Sequence, residues 1–411
     1  MKFNTICMIG LGYIGLPTAA VFASRKVNVI GVDINQHAVD TINRGEIHIV
    51  EPELDILVSS TVHEGFLRAT TAPEKADAFI MAVPTPFKGE DHEPNLDYIE
   101  SATRALAKVL EKGNLVILES TSPVGATEKM AAWLAEERPD LTFPQDAGEN
   151  SDIRIAHCPE RVLPGHVIRE LVENDRIIGG MSAKCTEAAT ELYKIFVQGS
   201  CIPTNARTAE MAKLTENASR DVQIAFANEL SVLCDKMDID VWELISLANR
   251  HPRVDILQPG CGVGGHCIAV DPWFIVNAFP NDAHIIKTAR ETNDGKPLFV
   301  ISKVKDAVKG IENPKIACLG LAFKPDIDDL RESPALEITK MLSDNTNFSI
   351  LAVEQNVNSL PQVLENRKNV ELVSLKEALK HADVIVILVK HKEFIELQVN
   401  NKKLLDFVKA V

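Results

Sequence analysis

Asn4-Thr-Ile-Cys-Met-Ile9-Gly10-Leu-Gly12-Tyr13-Ile14-Gly15, followed by Val27-Asn-Val-Ile-Gly-Val32-Asp33, is the stretch that decides the fold. Residues 4–9 are a short apolar run, which reads as a buried strand, and the glycines open a helical stretch behind it. The second apolar run, Val27–Val32, ends on an acid. Strand, GxGxxG, helix, strand and acid is the order that a dinucleotide-binding βαβ unit requires. The glycines allow a tight turn and bring a pyrophosphate close to the helix N-terminus. Asp33 would accept hydrogen bonds from the adenosine ribose hydroxyls and repel a 2′-phosphate, which favours NAD over NADP. A glycine turn between ordinary elements is the plain alternative, and the flanking strands and the acid argue against it.

The same stretch imitates a targeting segment, because no charge interrupts the run between Lys2 and Arg25. Gly10, Gly12, Gly15 and Pro17 break that run, and one lysine is a poor positive leader. A buried strand, a glycine turn and a buried helix have the same composition. No targeting segment or membrane insertion is expected. The 411 residues suit two or three domains, with 45% hydrophobic and 25% charged residues, the mix of a globular protein. Lys plus Arg number 43 against 58 Asp plus Glu, a net charge of −15, which disfavours nucleic acid and anionic membranes as partners. The 8 cysteines lack the dense spacing of a disulfide scaffold, so free thiols in a reducing cytoplasm are expected.

Further strands are expected at Ala78–Val83 and Leu115–Leu118, each running into a polar turn. These turns are Pro84-Thr85-Pro86 and Glu119-Ser120-Thr121-Ser122-Pro123. In parallel α/β sheets such carboxyl-end turns form the ligand crevice. Residues 206–236 then read as one helix without Gly or Pro. Met211, Leu214, Ala218, Val222, Phe226 and Leu233 share a face, and Lys213, Asn217 and Arg220 lie opposite. For an isolated helix that polar trio is ordinarily a solvated face. A helix of such length, followed by another at Val241–Ala248, is a connector and a dimer surface. The last hundred residues restart as α/β, with a strand at Lys315–Leu319 and a Ser333-Pro334 helix start. Ala382-Asp383 before VIVILV echoes Ala76-Asp77 before AFIMAV. The fold class expected is α/β, with two Rossmann-like doubly wound parallel-sheet domains joined by a long central helix. The boundaries expected are 1–203, 204–300 and 301–411.

Gly260-Cys261-Gly262-Val263-Gly264-Gly265-His266-Cys267 packs four glycines into eight residues before Asp271-Pro272. Such a loop lets backbone approach a ligand closely. Cys261, His266 and Cys267 as metal ligands have the wrong spacing for a zinc knuckle. A passive structural loop and a nucleophilic thiol beside a redox site are the other readings, and the dinucleotide signature favours the thiol.

Five separated motifs occur together and in order: GLGYIGLP, Cys158-Pro-Glu160-Arg161, the Lys213/Asn217 helix ending Phe226-Ala-Asn-Glu229, the GxGGxC loop with Asp271, and Phe323-Lys324 through Arg331 to Pro334. In these the chain resembles the nucleotide-sugar 6-dehydrogenases over essentially its whole length. Members of that family oxidise a UDP-sugar C6 alcohol twice with NAD, giving a uronate. The resemblance implies that Gly10, Gly12, Tyr13, Ile14, Gly15, Asp33, Thr85, Thr121 and Thr127 hold NAD, with Arg331 reaching its phosphates. Cys267 would be the nucleophile and Lys213 the proton donor or acceptor beside it, with Glu160 and Asp271 orienting water. Arg161, Val162, Lys213, Asn217, Arg220, His251, Arg253, Gly264, Phe323 and Lys324 would line the UDP-sugar site. Arg220, Arg253 and Lys324 give an acidic protein the local positive charge that a diphosphate needs. Relatives have Pro where Cys261 stands, so a second thiol, open to oxidation, is expected in the loop. Pro164 and His251-Pro252-Arg253 depart from the UDP-glucose pattern and follow the N-acetyl-sugar branch. A silent nucleotide-sugar or NAD binder is the alternative of another class, and it has no need of Cys267, Lys213 and Asp271 together.

Overall fold

A computed structural model describes residues 3–49, 51–89, 91–162, 165–265, 267–399 and 402–411; Lys2, Pro164 and His266, weighed above, lie outside these. The chain divides into two compact units, residues 1–215 and 216–411.

In the first unit β1 (Thr5–Ile9), β2 (Asn28–Val32), β3 (Leu67–Thr70), β4 (Ala78–Met81), β5 (Leu115–Leu118), β6 (Arg154–His157), β7 (Arg176–Gly180) and β8 (Cys201–Asn205) form one sheet. Its strand order is β8-β7-β6-β5-β4-β1-β2-β3, so the first strand lies inside and the order reverses beside it. Such a switch point opens a crevice at the carboxyl ends of the strands. Side chains alternate along β1: Ile6 and Met8 enter the core on one face, Cys7 and Ile9 the core on the other. Both faces are therefore covered, as a parallel sheet demands. One pairing departs from the parallel expectation, since β6 and β7 run antiparallel. The helix between them is only Val167–Glu173, and the chain turns back instead of crossing over.

The second unit repeats the plan. The strands β9 (Lys315–Leu319), β10 (Ser349–Val353), β11 (Val370–Leu372), β12 (Val384–Ile387) and β13 (Lys403–Asp406) pair in parallel, ordered β11-β10-β9-β12-β13. Ile316 and Cys318 face one core, Ala317 and Leu319 the other.

The helices that matter below are α1 (Gly15–Ser24), α2 (Ala126–Glu137), α3 (Ala206–Lys236), α4 (Asp271–Ala278), α5 (His284–Ala307) and α6 (Pro334–Ser343). Helix α3 occupies the span expected for it. Its apolar stripe is divided, however: Leu214 and Ala218 are buried, whereas Met211, Phe226 and Leu233 are 37%, 53% and 43% exposed. The buried face is instead drawn from Ala209, Glu210, Leu214, Ala218, Asp221, Ala225 and Asn228. Polar residues can replace apolar ones there because each finds hydrogen-bond partners. Ser333 caps α6, its hydroxyl accepting from Leu336 N–H, with Pro334 in the first turn. Among the described residues no helix is long and apolar enough to cross a membrane.

Candidate active site

In the first unit, the turn between β1 and α1 is shaped by contacts that only glycine permits. Gly10 sits at φ +90°, and a Cβ there would lie 2.4 Å from the Ala82 carbonyl oxygen; one on Gly15 would lie 1.8 Å from that of Gly10. Among the described residues none comes within 4 Å of that position on Gly12, which leaves room for a ligand against the backbone. No acid occupies the first turn of α1, so its N-terminal dipole is uncompensated. Asp33 is half-buried, its Oδ2 accepting from Leu11 N–H (3.0 Å) and its Oδ1 from Asn35 N–H (2.9 Å). This ties the acid to the glycine turn and leaves lone pairs for ribose hydroxyls. Tyr13 is exposed and Ile14 half-buried beside the turn. At the carboxyl ends of β4 and β5, the hydroxyls of Thr85 and Ser122 are buried without a hydrogen-bond partner among the described residues, and Thr121 is half-buried. Orphaned donors beside an open glycine turn suit a polar cofactor. Thr127 differs: its N–H (2.8 Å) and hydroxyl (2.6 Å) both donate to Glu210 of α3. Glu210 also accepts from Gly125 N–H (2.6 Å), so it caps α2, which lacks a side-chain cap of its own.

Glu160 follows β6 and is buried. Its Oε1 accepts from Arg161 N–H (2.6 Å), and its Oε2 pairs with the buried Arg176 guanidinium (2.7 Å). Arg176 also pairs with Glu119 (3.0 Å), which accepts from the Tyr193 hydroxyl (2.9 Å). Burial pushes the Glu119 carboxyl up, against the pull of Arg176, and the neighbouring Glu160 charge pushes the same way. The sequence places Glu119 in a turn of the ligand crevice, but its buried pairing with Arg176 and Tyr193 has one local sign, the lone arginine opening the apolar run Arg176–Gly180. Glu51 accepts from Gly165 and Val167 N–H (2.9 Å each), tethering the segment that follows Arg161 and Val162, both half-buried.

In the second unit the glycine-rich loop lies against the segment after β9. A Cβ on Gly264 would stand 2.5 Å from the Glu332 carbonyl oxygen and 2.7 Å from Phe323 Cβ. Gly265, at φ +85°, donates its N–H to the Arg331 carbonyl (3.1 Å). Cys267 is half-buried one turn before α4, its carbonyl accepting from Asp271 N–H (2.8 Å). Buried Asp271 accepts a short hydrogen bond from the Asn217 amide. Cys267, Asp271, Asn217, Gly264 and Phe323 thus gather in one neighbourhood, with Lys324 half-buried next in the chain. Lys213 lies one turn before Asn217 on α3, at the spacing that puts the two on one face. Arg220, His251 and Arg253 are exposed, and the Arg331 guanidinium is paired with Asp329 (2.6 Å).

Cys261 corrects an expectation. It is buried in the core of the second sheet, and burial pushes its thiol up to about 12, so it is neither accessible nor ionised for oxidation.

Comparison with known proteins agrees with this geometry. The NAD binding domain of the UDP-glucose/GDP-mannose dehydrogenase family matches residues 4–197, its central domain 207–295 and its UDP binding domain 317–410. A UDP-N-acetyl-D-mannosamine dehydrogenase of Campylobacter jejuni is 72% identical, covering 97% of this chain and 98% of its own. An NDP-N-acetyl-D-galactosaminuronic acid dehydrogenase of Ralstonia nicotianae is 63% identical over 97% of this chain and 93% of its own. Among solved structures, a UDP-D-ManNAc dehydrogenase of Pyrococcus horikoshii superposes with a TM-score of 0.88 at 39% identity, over 99% of this chain and 96% of that one. A glycine turn built for a dinucleotide, a cysteine loop seated beside an acid–amide pair, and three matching domains in order place the chain in the UDP-glucose/GDP-mannose dehydrogenase family, as an NAD-dependent nucleotide-sugar dehydrogenase.

Proposed function

We propose that the protein oxidises UDP-N-acetyl-D-mannosamine at C6 to UDP-N-acetyl-D-mannosaminuronate, in the cytoplasm, for a bacterial surface polysaccharide. The observation that carries this reading is the half-exposed Cys267 on a glycine loop, one turn from the Asn217–Asp271 pair. The 72% identity to a relative of that name supports the sugar. A UDP-glucose or UDP-N-acetylglucosamine reading is the alternative. The N-acetyl-galactosaminuronic acid relative favours a third sugar, which keeps the N-acetyl group.

Alcohol to acid removes four electrons, and NAD accepts one hydride at each of two oxidations. The residues' own work lies between. Lys213 takes the C6 hydroxyl proton in the first oxidation, and the Cys267 thiolate then adds to the aldehyde carbon, forming a C–S bond. The adduct loses a hydride and becomes a thioester; water, held by Asp271 and Glu160, cleaves the C–S bond and returns thiol and carboxylate. A cationic Lys213 favours the thiolate and the oxyanions at C6. Arg161, Val162, Arg220, His251, Arg253, Phe323 and Lys324 hold the UDP-sugar, and Arg331 the cofactor phosphates. The functional partition is 1–203, 204–300 and 301–411. The exposed Met211, Phe226 and Leu233 on α3 are the surface of a homodimer.

A panel of UDP-sugars with NAD, read at 340 nm, tests the sugar: turnover of UDP-N-acetylmannosamine no better than UDP-glucose overturns it. Cys267→Ala tests the route. It should abolish uronate formation while NAD and UDP-sugar still bind, and the parent should yield two NADH per uronate. Near-normal uronate from the variant rejects the thioester.

A further inference from the structure

The nucleophile loop is held from beneath by a buried polar relay that none of the roles above uses. Helix α3 turns Asp221 and Asn228 inward, and α5 answers with Arg290 and Asn293; all four are buried to within 1%. Gly260 N–H, where the loop begins, donates to Asn228 Oδ1 (2.9 Å). The Asn228 amide donates to Asn293 Oδ1 (2.8 Å), and the Asn293 amide donates to Asp221 Oδ1 (2.8 Å). Arg290 closes the relay on the same carboxylate oxygen (2.6 Å), and its Nη1 stands 3.5 Å from the Ile268 carbonyl, where the loop ends. Midway, a Cβ on Gly262 would come within 3.1 Å of the Asn293 carbonyl oxygen. The loop's beginning and end therefore meet one set of side chains, and its middle passes the backbone of one of them.

The bonds from Gly260 through Asn228 and Asn293 all run toward Asp221, and that direction fixes which way each amide faces. An apolar seam would pack two helices at less desolvation cost, so four buried polar groups are better explained by orientation than by stability. We propose that Asn228, Asn293, Asp221 and Arg290 are positioning residues: they set the backbone of residues 260–268 and so aim the Cys267 thiol at C6. This rests on the reading of Cys267 as nucleophile.

The test breaks the relay at one bond. Asn228→Asp keeps the shape and still accepts from Gly260, but it presents an acceptor to Asn293 Oδ1. It should lower kcat by about 100-fold, the effect of roughly 1 Å of misplacement, with KM and the dissociation constants for NADH and UDP changed by less than about threefold. If the single variant does not fold, Asn293→Ser breaks the relay one step from the loop and carries the same expectation. A folded Asn228→Asp with kcat within about twofold of the parent, or one whose KM and dissociation constants worsen as much as its kcat, overturns the relay. Near-normal uronate from Cys267→Ala overturns the reading of Cys267 as nucleophile instead.

Discussion

In the first sheet Gly10, at φ +90°, donates its N–H to the last residue of β2, Val32 (2.8 Å); in the second, Gly320, at φ +93°, does the same to Val353 of β10 (2.8 Å). The next residue in each case is an acid, and each acid accepts from the amide after its glycine: Asp33 from Leu11, Glu354 from Leu321 (2.8 Å). The two halves are one device used twice, and they spend the acid differently. Asp33 stays half-buried beside an open glycine turn. Glu354 is buried, also accepts from Ala322 N–H (3.0 Å), and meets Nε2 of the buried His391 (3.0 Å). His391 Nδ1 accepts from Asp326 N–H (2.9 Å), so its proton sits on Nε2, and the histidine braces the segment that carries Phe323 and Lys324. The acid that stands open beside the glycine turn in the first sheet organises a loop in the second.

The same isosteric change should therefore have unequal consequences in the two halves. Glu354→Gln puts an NH2 where one of two accepting oxygens stood, so either the Leu321 and Ala322 amides with the buried imidazole or the Asn356 amides face a donor, and it should destabilise the second unit by about 3–5 kcal/mol. Asp33→Asn should cost less than about 1 kcal/mol of stability, because water reaches that carboxylate. Urea unfolding of both variants decides it, and equal losses would break the comparison. In acid the sign is defined: Glu354 is held down to about 2, since the bonds from His391 and the amides outweigh burial. Its stabilisation is present above its unfolded pKa near 4.5 and disappears as pH falls toward 2.

The sequence made the first half of this comparison legible and concealed most of the second. GxGxxG between apolar runs is local, as are the strands at Leu115–Leu118 and Lys315–Leu319 and the helix over 206–236, because periodicity and glycine punctuation lie within a few residues. Glu354, Arg176, Glu210 and Glu51 act on partners 16 to 116 residues away. An acid following a strand looks alike in the sequence whether it waits for a ligand or caps a remote amide. The stripe on α3 misled for a related reason, since buried polar groups there satisfy one another across α5.

A second contrast is between two fully buried histidines. His391 has partners for both nitrogens; His157, at the end of β6, has none among the described residues, and burial lowers it to about 3. The folded state then binds fewer protons than the unfolded between about pH 6.5 and 3, so stability rises with pH through that window. From pH 7 to pH 4 His157 should cost on the order of 3 kcal/mol. His157→Leu should flatten that decline, measured by urea midpoints at the two pH values; an equally steep decline in the variant removes His157 from the account.

Cofactor choice separates the two acids next. The parent should prefer NAD to NADP by at least about tenfold in kcat/KM, roughly 1.4 kcal/mol. Asp33→Asn should shrink that ratio, and Glu354→Gln, where it folds, should leave it alone. Equal use of both cofactors by the parent would mean that Asp33 does not face the ribose.

The smallest expected effect tests the echo noticed in the sequence. Asp77 and Asp383 precede the fourth strand of their sheets, and each pins the start of the first. Asp77 Oδ2 accepts from Asn4 (2.7 Å) and Thr5 (3.0 Å) N–H, while Asp383 Oδ2 accepts from Lys315 N–H alone (2.8 Å). Each aspartate also donates its own N–H to the carbonyl of the same strand start, at 3.0 Å and 2.8 Å. Those backbone bonds survive substitution, so only the carboxylate contacts are lost, and they sit at exposed strand ends where water replaces them. Asp77→Ala should cost about 1–2 kcal/mol and Asp383→Ala about 0.5–1 kcal/mol. Hydrogen exchange of peptides spanning β1 and β9 reads the two sites separately, because each loss should appear as faster exchange at its own strand start. A larger effect at Asp383 than at Asp77 would show that the shared motif is not doing the same work in the two sheets, and that their likeness ends at the glycine and the acid.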